Sequence, residues 1–177
     1  MNIAKASAKI LLDTQSVLVN TEEPFTYTSG LKGPVYVDCR RLIAFPDERS
    51  RLMQFAAEKL KHLNIDYIAG GETAGIPYAA FLAERMNKPM LYVRKKPKGF
   101  GRMAQIEGHF DESTQPNVLL VEDLQTDGGS KVPFVSALRN AEATVTDVFV
   151  VFHYGTFPES EKRMEELGID LHTLCTC

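Results

Sequence analysis

The sequence contains no tryptophan, only three cysteines and no long apolar run. Spanning a bilayer takes about 20 apolar residues, so we expect no transmembrane segment and no membrane partner. The N-terminus also lacks the apolar core and the small-residue cleavage site of a signal peptide. Cys39, Cys175 and Cys177 are odd in number, and two of them stand at the very end, which does not suit a disulfide framework. We therefore expect a reduced, cytoplasmic protein.

An excess of positive charge is absent as well. Lys and Arg number 20 against 23 Asp and Glu, which gives a formal net charge of −3. Binding to nucleic-acid phosphates favours a clear basic excess, so we expect no nucleic-acid partner. The 177 residues, 44% of them hydrophobic, suit one domain with a substantial core. No repeat or linker divides them, and we expect a single domain over residues 1–177.

Hydrophobic patterning predicts strands that alternate with helices. Short runs rich in Val, Leu and Ile are typical of strands buried on both faces, and the amphipathic stretches between them are typical of helices. This alternation indicates an α/β fold, with a central, mostly parallel sheet and helices on both faces. We expect helices near residues 2–19, 47–63, 76–86, 130–140 and 159–167, and strands near residues 35–37, 66–70, 90–93, 118–121, 145–152 and 170–174.

The stretch VLLVEDLQTDGGSK, residues 118–131, joins a strand to a helix through acids and glycines. Open parallel sheets bind ligands beyond the carboxyl ends of their strands, and Glu122 and Asp123 stand at such an end. The loop from Thr126 to Ser130 leads into a helix start, where backbone N–H groups and the helix dipole favour an anion such as phosphate. Its spacing is neither that of a Walker loop nor that of a dinucleotide-binding loop.

The two acids need a different partner, because carboxylates repel a phosphate. Carboxylates accept hydrogen bonds from sugar hydroxyls and stabilise positive charge that develops on a ribose ring. The stretch therefore indicates a site for a ribose 5-phosphate, because it contains a strand, two acids, a threonine, two glycines and a helix start in that order. The alternative is a surface loop with a solvated acidic pair, which the acids or the glycines alone would favour.

The same stretch resembles the phosphoribosyl pyrophosphate (PRPP) signature of the type I phosphoribosyltransferases. That signature has an apolar strand, Glu-Asp, a hydrophobic residue, a variable residue, a threonine and a small glycine-rich loop. The resemblance implies the fold of that family, with an N-terminal hood segment of about residues 1–40 packed on it. It also implies that Asp123 is catalytic and that PRPP is bound by Glu122, Asp123, Leu124, Gln125, Thr126, Asp127, Gly128, Gly129 and Ser130.

Three further segments resemble the orotate phosphoribosyltransferases. They are the N-terminal segment FTYTSGLKGPVYVDCR (25–40), the pyrophosphate-side loop and helix GGETAGIPYA (70–79) and the catalytic loop YVRKKPKGFGRMAQIEG (92–108). The resemblance covers about residues 10–155, in the order of the family. It implies that orotate and PRPP react, with Mg²⁺, to give orotidine 5′-monophosphate and pyrophosphate in pyrimidine (UMP) biosynthesis.

The resemblance assigns the basic loop of residues 94–104 to the leaving pyrophosphate. Arg94, Lys95 and Lys98 match the family's basic positions, where they neutralise developing negative charge, and Lys98 matches the catalytic lysine. In the family this loop closes over the site of the neighbouring subunit, which implies a homodimer. Mg²⁺ is expected to be held mainly by PRPP, with no metal ligands from the protein. A solvated basic loop is the alternative for such a charge run.

Contacts with the base are assigned to Thr126, Ser29, Tyr36 and His153. For Ser29 and Tyr36, a packed turn and a half-buried strand aromatic are equally good interpretations. His153 stands near the position at which the family often has an arginine that binds the orotate carboxylate. A histidine at this position could donate a hydrogen bond to that carboxylate, although a structural histidine is the more common case.

The sequence departs from the family pattern at several positions. Phe100 replaces a loop histidine, Thr28 replaces a lysine, and the Asp-Arg that often ends the strand after the signature is absent. Asp127 stands where the family has Thr, Ser or Ala, and we expect its carboxylate to turn away from the phosphate, toward Lys131 or solvent. The missing arginine leaves two alternatives: a phosphoribosyltransferase for another base, and a non-catalytic PRPP or nucleotide sensor.

Overall fold

The computed structural model describes residues 1–101 and 104–177. In chain order its helices and strands are α1 (Ile3–Asp13), β1 (Val17–Val19), β2 (Phe25–Thr26), β3 (Lys32–Gly33), β4 (Val35–Val37), α2 (Pro46–Leu60), β5 (Tyr67–Gly71), α3 (Gly75–Met86), β6 (Met90–Val93), β7 (Ile106–Glu107), β8 (Asn117–Gln125), α4 (Lys131–Asn140), β9 (Thr144–His153), α5 (Pro158–Leu167) and β10 (Asp170–Thr176). Short 3-10 turns lie at Arg41–Ala44 and Glu112–Thr114. None of the helices in the described ranges is long and apolar enough to cross a bilayer.

Six strands form a central sheet in the order β10–β9–β8–β5–β6–β7. Neighbouring strands are parallel apart from β7, a two-residue strand that runs antiparallel to β6. Parallel neighbours need long crossover connections, which helices supply. The predicted α/β fold with a mostly parallel sheet is confirmed.

Helices cover both faces of this sheet, because successive strand residues point to opposite sides. Along β8, Leu119 and Val121 belong to a core shared with α1, α2 and α3. Leu120 belongs to a second core, shared with α4 and α5. Strand β8 is thus buried on both faces, which fixes the position of the acids and the loop that follow its apolar run.

The first helix is shorter than predicted. We expected a helix over residues 2–19, but α1 ends at Asp13, and Val17–Val19 pair with β4 as an antiparallel strand. The hydroxyl of Thr14 donates to the Ile10 carbonyl oxygen (2.8 Å) and exchanges a hydrogen bond with the hydroxyl of Ser16 (2.8 Å). Pairing with a distant segment overrides the helical periodicity of this stretch.

Strand β8 is longer than predicted, since it runs to Gln125 rather than ending at Val121. Glu122 and Gln125 stay in register with Val150 and His153 of β9. The paired acids therefore lie within a hydrogen-bonded strand, and their backbone is held by the sheet.

The N-terminal segment packs over the same end of the sheet. Tyr154, which follows β9, accepts a hydrogen bond from the Val37 N–H (2.9 Å), and its ring meets that of Tyr27 edge-on, with 5.2 Å between centroids. Tyr27 also lies edge-on to the ring of Phe157. These aromatic contacts hold the segment that contains β2 to β4 against the end of β9.

Glycines allow the turn after β5 to lie close to β8. A Cβ at Gly75 would be 2.3 Å from the carbonyl oxygen of Val121, and a Cβ at Gly70 would be 2.7 Å from the carbonyl oxygen of Gly75. Both separations are well inside the about 3.5 Å at which non-bonded atoms pack. The start of α3 therefore lies against β8 only because residues 70 and 75 have no side chain.

Replacing Gly75 with alanine is expected to destabilise the fold by about 2 kcal/mol, because overpacking against backbone atoms forces α3 or β8 to shift. Gly99→Ala is the matched control, since a Cβ there meets nothing within 4 Å. Its effect should stay within about 0.5 kcal/mol. Urea unfolding measures both variants, and equal stabilities would show that the close approach imposes no constraint.

Candidate active site

An open cleft of about 660 Å³ lies over the carboxyl ends of β5 and β8, where parallel sheets bind their ligands. Its walls come from the N-terminal segment, the turn after β5, the loop after β6 and the connection from β8 to α4. The lining residues include Arg40, Glu72, Lys95, Glu122, Asp123 and Thr126. Segments distant in the sequence, each part of a predicted motif, therefore meet in one cleft.

Glu122 is buried in the wall of the cleft, with 7% of its surface exposed. Its Oε1 has no hydrogen-bond partner among the described residues, and a Cβ at Gly71 would lie 1.9 Å from it. Burial raises the pKa of Glu122 to about 7, although the charge of Lys131 acts in the opposite direction. Glu122 also lines the cleft, where a carboxyl group can accept a hydrogen bond from a hydroxyl of a bound sugar.

Lys131, at the start of α4, is buried behind the same wall. Its Nζ donates to the carbonyl oxygen of Leu124 (2.6 Å) and so closes the loop between them. Burial lowers the pKa of Lys131, while the charges of Glu122, Asp123 and Asp127 act to raise it. Lys131 was expected only as a possible partner of Asp127 and was not among the predicted site residues, although its place directly after Gly-Gly-Ser was a signal.

Asp123 lies beside Arg40, a residue that was not among the predicted site residues. Arg40 Nε is 3.8 Å from Asp123 Oδ2, and the arginine side chain is 65% exposed whereas the aspartate side chain is 13% exposed. An ion pair with so exposed a partner contributes little to stability. The carboxylate can therefore exchange this arginine for a ligand.

The loop after β8 has the form of an anion-binding turn at a helix start. Gly128 has a φ of 78°, in the left-handed region that glycine tolerates, and Thr126 and Ser130 line the cleft. Gln125 faces the other way: it is fully buried, and its Nε2 donates to Ser160 Oγ (2.8 Å) on α5. Some residues of the predicted PRPP stretch, such as Thr126 and Ser130, therefore line the cleft, whereas Gln125 lies in the core that supports it.

Asp127 turns toward α5. Its Oδ2 is 3.0 Å from Arg163 Nη1, and its Oδ1 accepts the Gly129 N–H (3.2 Å). Its ion-pair partner is therefore Arg163, which sequence reasoning missed, and not Lys131 or solvent. Burial acts to raise the pKa of Asp127, but the hydrogen bonds from Gly129 and Arg163 outweigh it and hold that pKa below its ordinary range.

Two of the four predicted base contacts lie in the cleft. Tyr36 and Thr126 line it, together with Tyr27 and Thr28, which were not predicted to contact the base. Ser29 is exposed in the turn between β2 and β3, where its Oγ accepts the N–H of the next residue but one (3.5 Å). The polar wall on this side consists of threonine and tyrosine hydroxyls.

His153 points toward α5. Its Nε2 shares a hydrogen bond with Ser160 Oγ (3.0 Å), and burial lowers its pKa. The next residue, Tyr154, lines the cleft in its place. The structure therefore brings the tyrosine, and not the histidine, to the ligand side.

The basic loop leaves β6 beside the cleft. Lys95 lines the cleft, whereas Arg94 and Lys98 pair with Glu107 of β7, at 3.6 and 3.5 Å. Within the predicted loop of residues 94–104, residues 102 and 103 lie outside the described residues. The structure brings one of the three predicted basic side chains to the cleft and holds the other two beside it.

The raised pKa of Glu122 predicts a stability that falls as pH rises. A carboxyl group with a pKa near 7 when folded and about 4.5 when unfolded binds its proton more tightly in the fold. Its contribution is complete below about pH 4.5 and is lost as pH rises through 7. Between about pH 5 and pH 8 the loss is about 2 kcal/mol. Glu122→Gln should remove it, which urea unfolding across this range measures, and parallel pH profiles would contradict the assignment.

The chain is similar to proteins of one named family. No family model matches it. A curated orotate phosphoribosyltransferase from Jannaschia sp. is 54% identical over 98% of this chain and 77% of the relative, and one from Ruegeria sp. is 53% identical over 98% and 78%. The crystal structure of orotate phosphoribosyltransferase from Aeropyrum pernix is 30% identical, with a TM-score of 0.78, and the match covers 96% of this chain and 92% of that one. As its motifs predicted, the chain belongs to the orotate phosphoribosyltransferase family.

Proposed function

We propose that the protein transfers ribose 5-phosphate from PRPP to orotate, which yields orotidine 5′-monophosphate and pyrophosphate in pyrimidine biosynthesis. The observation that carries the proposal is the cleft in which Glu122 and Asp123 lie beside a glycine loop at a helix start. The curated relatives that are named for this activity support orotate as the base.

The arrangement of the cleft favours one orientation of PRPP. Its 5′-phosphate fits the loop of residues 126–130, where N–H groups and the positive end of the α4 dipole favour an anion. Its ribose hydroxyls then reach the carboxylates of Glu122 and Asp123. Its pyrophosphate lies toward Lys95 and the turn after β5, which line the same cleft.

Mg²⁺ fits this site as a companion of the substrate. The described residues contain no cluster of three or more His, Cys, Asp or Glu side chains that could hold a metal ion. The resemblance implies that oxygens of PRPP are its main ligands, and the carboxyl groups of Glu122 and Asp123 would face the ribose. A bound Mg²⁺ supplies neutralisation of the pyrophosphate charge.

The residues of the cleft suit the charges that develop during transfer. As the bond from C1′ to the pyrophosphate oxygen breaks, positive charge develops on the ribose and negative charge on the leaving group. The carboxylate of Asp123 stabilises the first charge. Lys95 of the cleft neutralises the second, together with Arg94 and Lys98 from the loop that the neighbouring subunit contributes. A ring nitrogen of orotate forms the new bond to C1′, and its proton passes to the leaving pyrophosphate or to solvent.

We place the basic loop over the site of a neighbouring subunit, in a cytoplasmic homodimer, as the family pattern implies. Lys98 is 69% exposed and pairs with Glu107. An exposed pair of this kind contributes at most about 1 kcal/mol, so its exchange for the pyrophosphate costs little. The three cysteines are unpaired, which supports a reducing compartment.

Product formation with different bases tests the proposal. The protein is incubated with PRPP and Mg²⁺, and pyrophosphate release is measured with orotate, uracil and the purine bases. We expect release with orotate alone. Release only with another base would make the protein a phosphoribosyltransferase of different specificity, which the absent arginine motivates. PRPP binding without any turnover would identify a sensor.

Lys98→Ala is expected to lower kcat by about 100-fold and to change PRPP affinity less than about threefold, because the lysine acts on charge that develops in the transition state. Lys96→Ala removes an equal charge from the same loop and should leave kcat near that of the wild type. Steady-state kinetics and calorimetric PRPP binding separate the two effects. A loss in affinity as large as the loss in kcat would remove Lys98 from the catalytic role.

A further inference from the structure

The phosphate loop carries an acid that its ligand should repel. Asp127 lies within the segment proposed to bind the 5′-phosphate, and two donors of that segment point to its Oδ1. These are the Gly129 N–H at 3.2 Å and the Thr126 hydroxyl at 3.5 Å. A carboxylate without a counter-charge here would occupy donors that the phosphate needs and would repel the phosphate as well.

Arg163 of α5 contacts this acid in two ways. Its Nη1 is 3.0 Å from Asp127 Oδ2 and also donates to the Asp127 carbonyl oxygen (2.5 Å). A Cβ at Gly129 would lie 3.4 Å from the same Nη1, so the guanidinium lies against the loop itself. One group thus ties both the side chain and the backbone of Asp127 to α5.

Helix α5 is held firmly enough to serve as a support. Ser160 accepts a hydrogen bond from the buried Gln125 of β8 (2.8 Å), and buried hydrogen bonds of this kind fix the elements that they join. One turn further along, the Cε of Met164 would be 3.1 Å from a Cβ at Gly128. The guanidinium of Arg163 is therefore presented to the loop from a fixed position.

We propose that Arg163 is a positioning residue for the ribose 5-phosphate: it neutralises Asp127 and holds its carboxylate toward α5, so that the loop accepts a phosphate dianion. The inference rests on the proposed function and concerns only the phosphate end of the substrate. When the phosphate binds, Oδ1 gives up the Gly129 N–H while the arginine retains Oδ2. Without the arginine, the carboxylate competes with the phosphate as an internal anion.

Arg163→Gln tests the proposal through four Michaelis constants and one binding constant. PRPP and orotidine 5′-monophosphate carry the 5′-phosphate, whereas orotate and pyrophosphate do not. The KM values of the first two, and the calorimetric Kd of PRPP with Mg²⁺, should rise by about tenfold, as for the loss of one charge-assisted contact. The KM values of the other two, and kcat, should change less than about twofold.

A second substitution separates neutralisation from simple support of the loop. In Arg163→Gln/Asp127→Asn no carboxylate remains to compete, so most of the PRPP affinity should return. Lys162→Gln is the matched control, because Lys162 lies on the same helix but pairs with Glu166 (3.8 Å). This control should leave all five constants unchanged.

Several outcomes would overturn the proposal. They are unchanged constants in Arg163→Gln, an equal rise in all four KM values, and a double variant as weak as the single one. Failure of the proposed function would look different, since the wild-type protein would then release no pyrophosphate with orotate. The calorimetric comparison of the variants needs no base and decides the role of Arg163 in that case too.

Discussion

The close approach of the turn after β5 to β8 is the constraint on which the rest of the site depends. Because Gly70 and Gly75 have no side chains, the start of α3 lies against β8, and the space at Gly71 receives the carboxylate of Glu122. That carboxylate stays buried, with one oxygen unpaired among the described residues. An unpaired buried acceptor destabilises the fold. The three glycines are what allow the carboxyl group of Glu122 to lie in this position.

Cations from different parts of the fold lie near the acids of residues 122–127. Asp123 is 3.8 Å from Arg40 of the N-terminal segment, and Asp127 is 3.0 Å from Arg163 of α5. The buried Lys131 of α4 acts through its charge to lower the pKa of Glu122, which burial raises. In the proposed orientation of PRPP, affinity depends on N–H groups at the helix start and on the basic loop, and not on a general positive field. Such a site is compatible with a net charge of −3 for the chain.

The sequence predicted the features that depend on local pattern and missed those that depend on tertiary packing. An apolar run is enough to predict β8, and the glycines that follow it are enough to predict the phosphate-binding turn. Arg163 stands in no stretch that suggests a ligand, and Arg40 ends the segment of residues 25–40 without a predicted role. Each reaches its acid only through the fold. The helical periodicity of Val17–Val19 is misleading, because the strand partner of these residues lies far along the chain in β4. Asp127 illustrates both cases. The sequence shows that its carboxylate would repel a bound phosphate, but only the fold shows that its partner is Arg163.

The contacts beneath the cleft are largely buried, whereas the contacts of the basic loop are exposed and hold it more weakly. Beneath the cleft, Lys131 donates to Leu124 and Gln125 donates to Ser160. Lys98 of the basic loop makes an exposed ion pair with Glu107. Exposed pairs contribute at most about 1 kcal/mol. Catalysis requires interactions that are stronger in the transition state than in the ground state. In the role proposed for Lys98, a cation held weakly until the pyrophosphate gains charge meets that requirement, and one fixed permanently on the substrate would not.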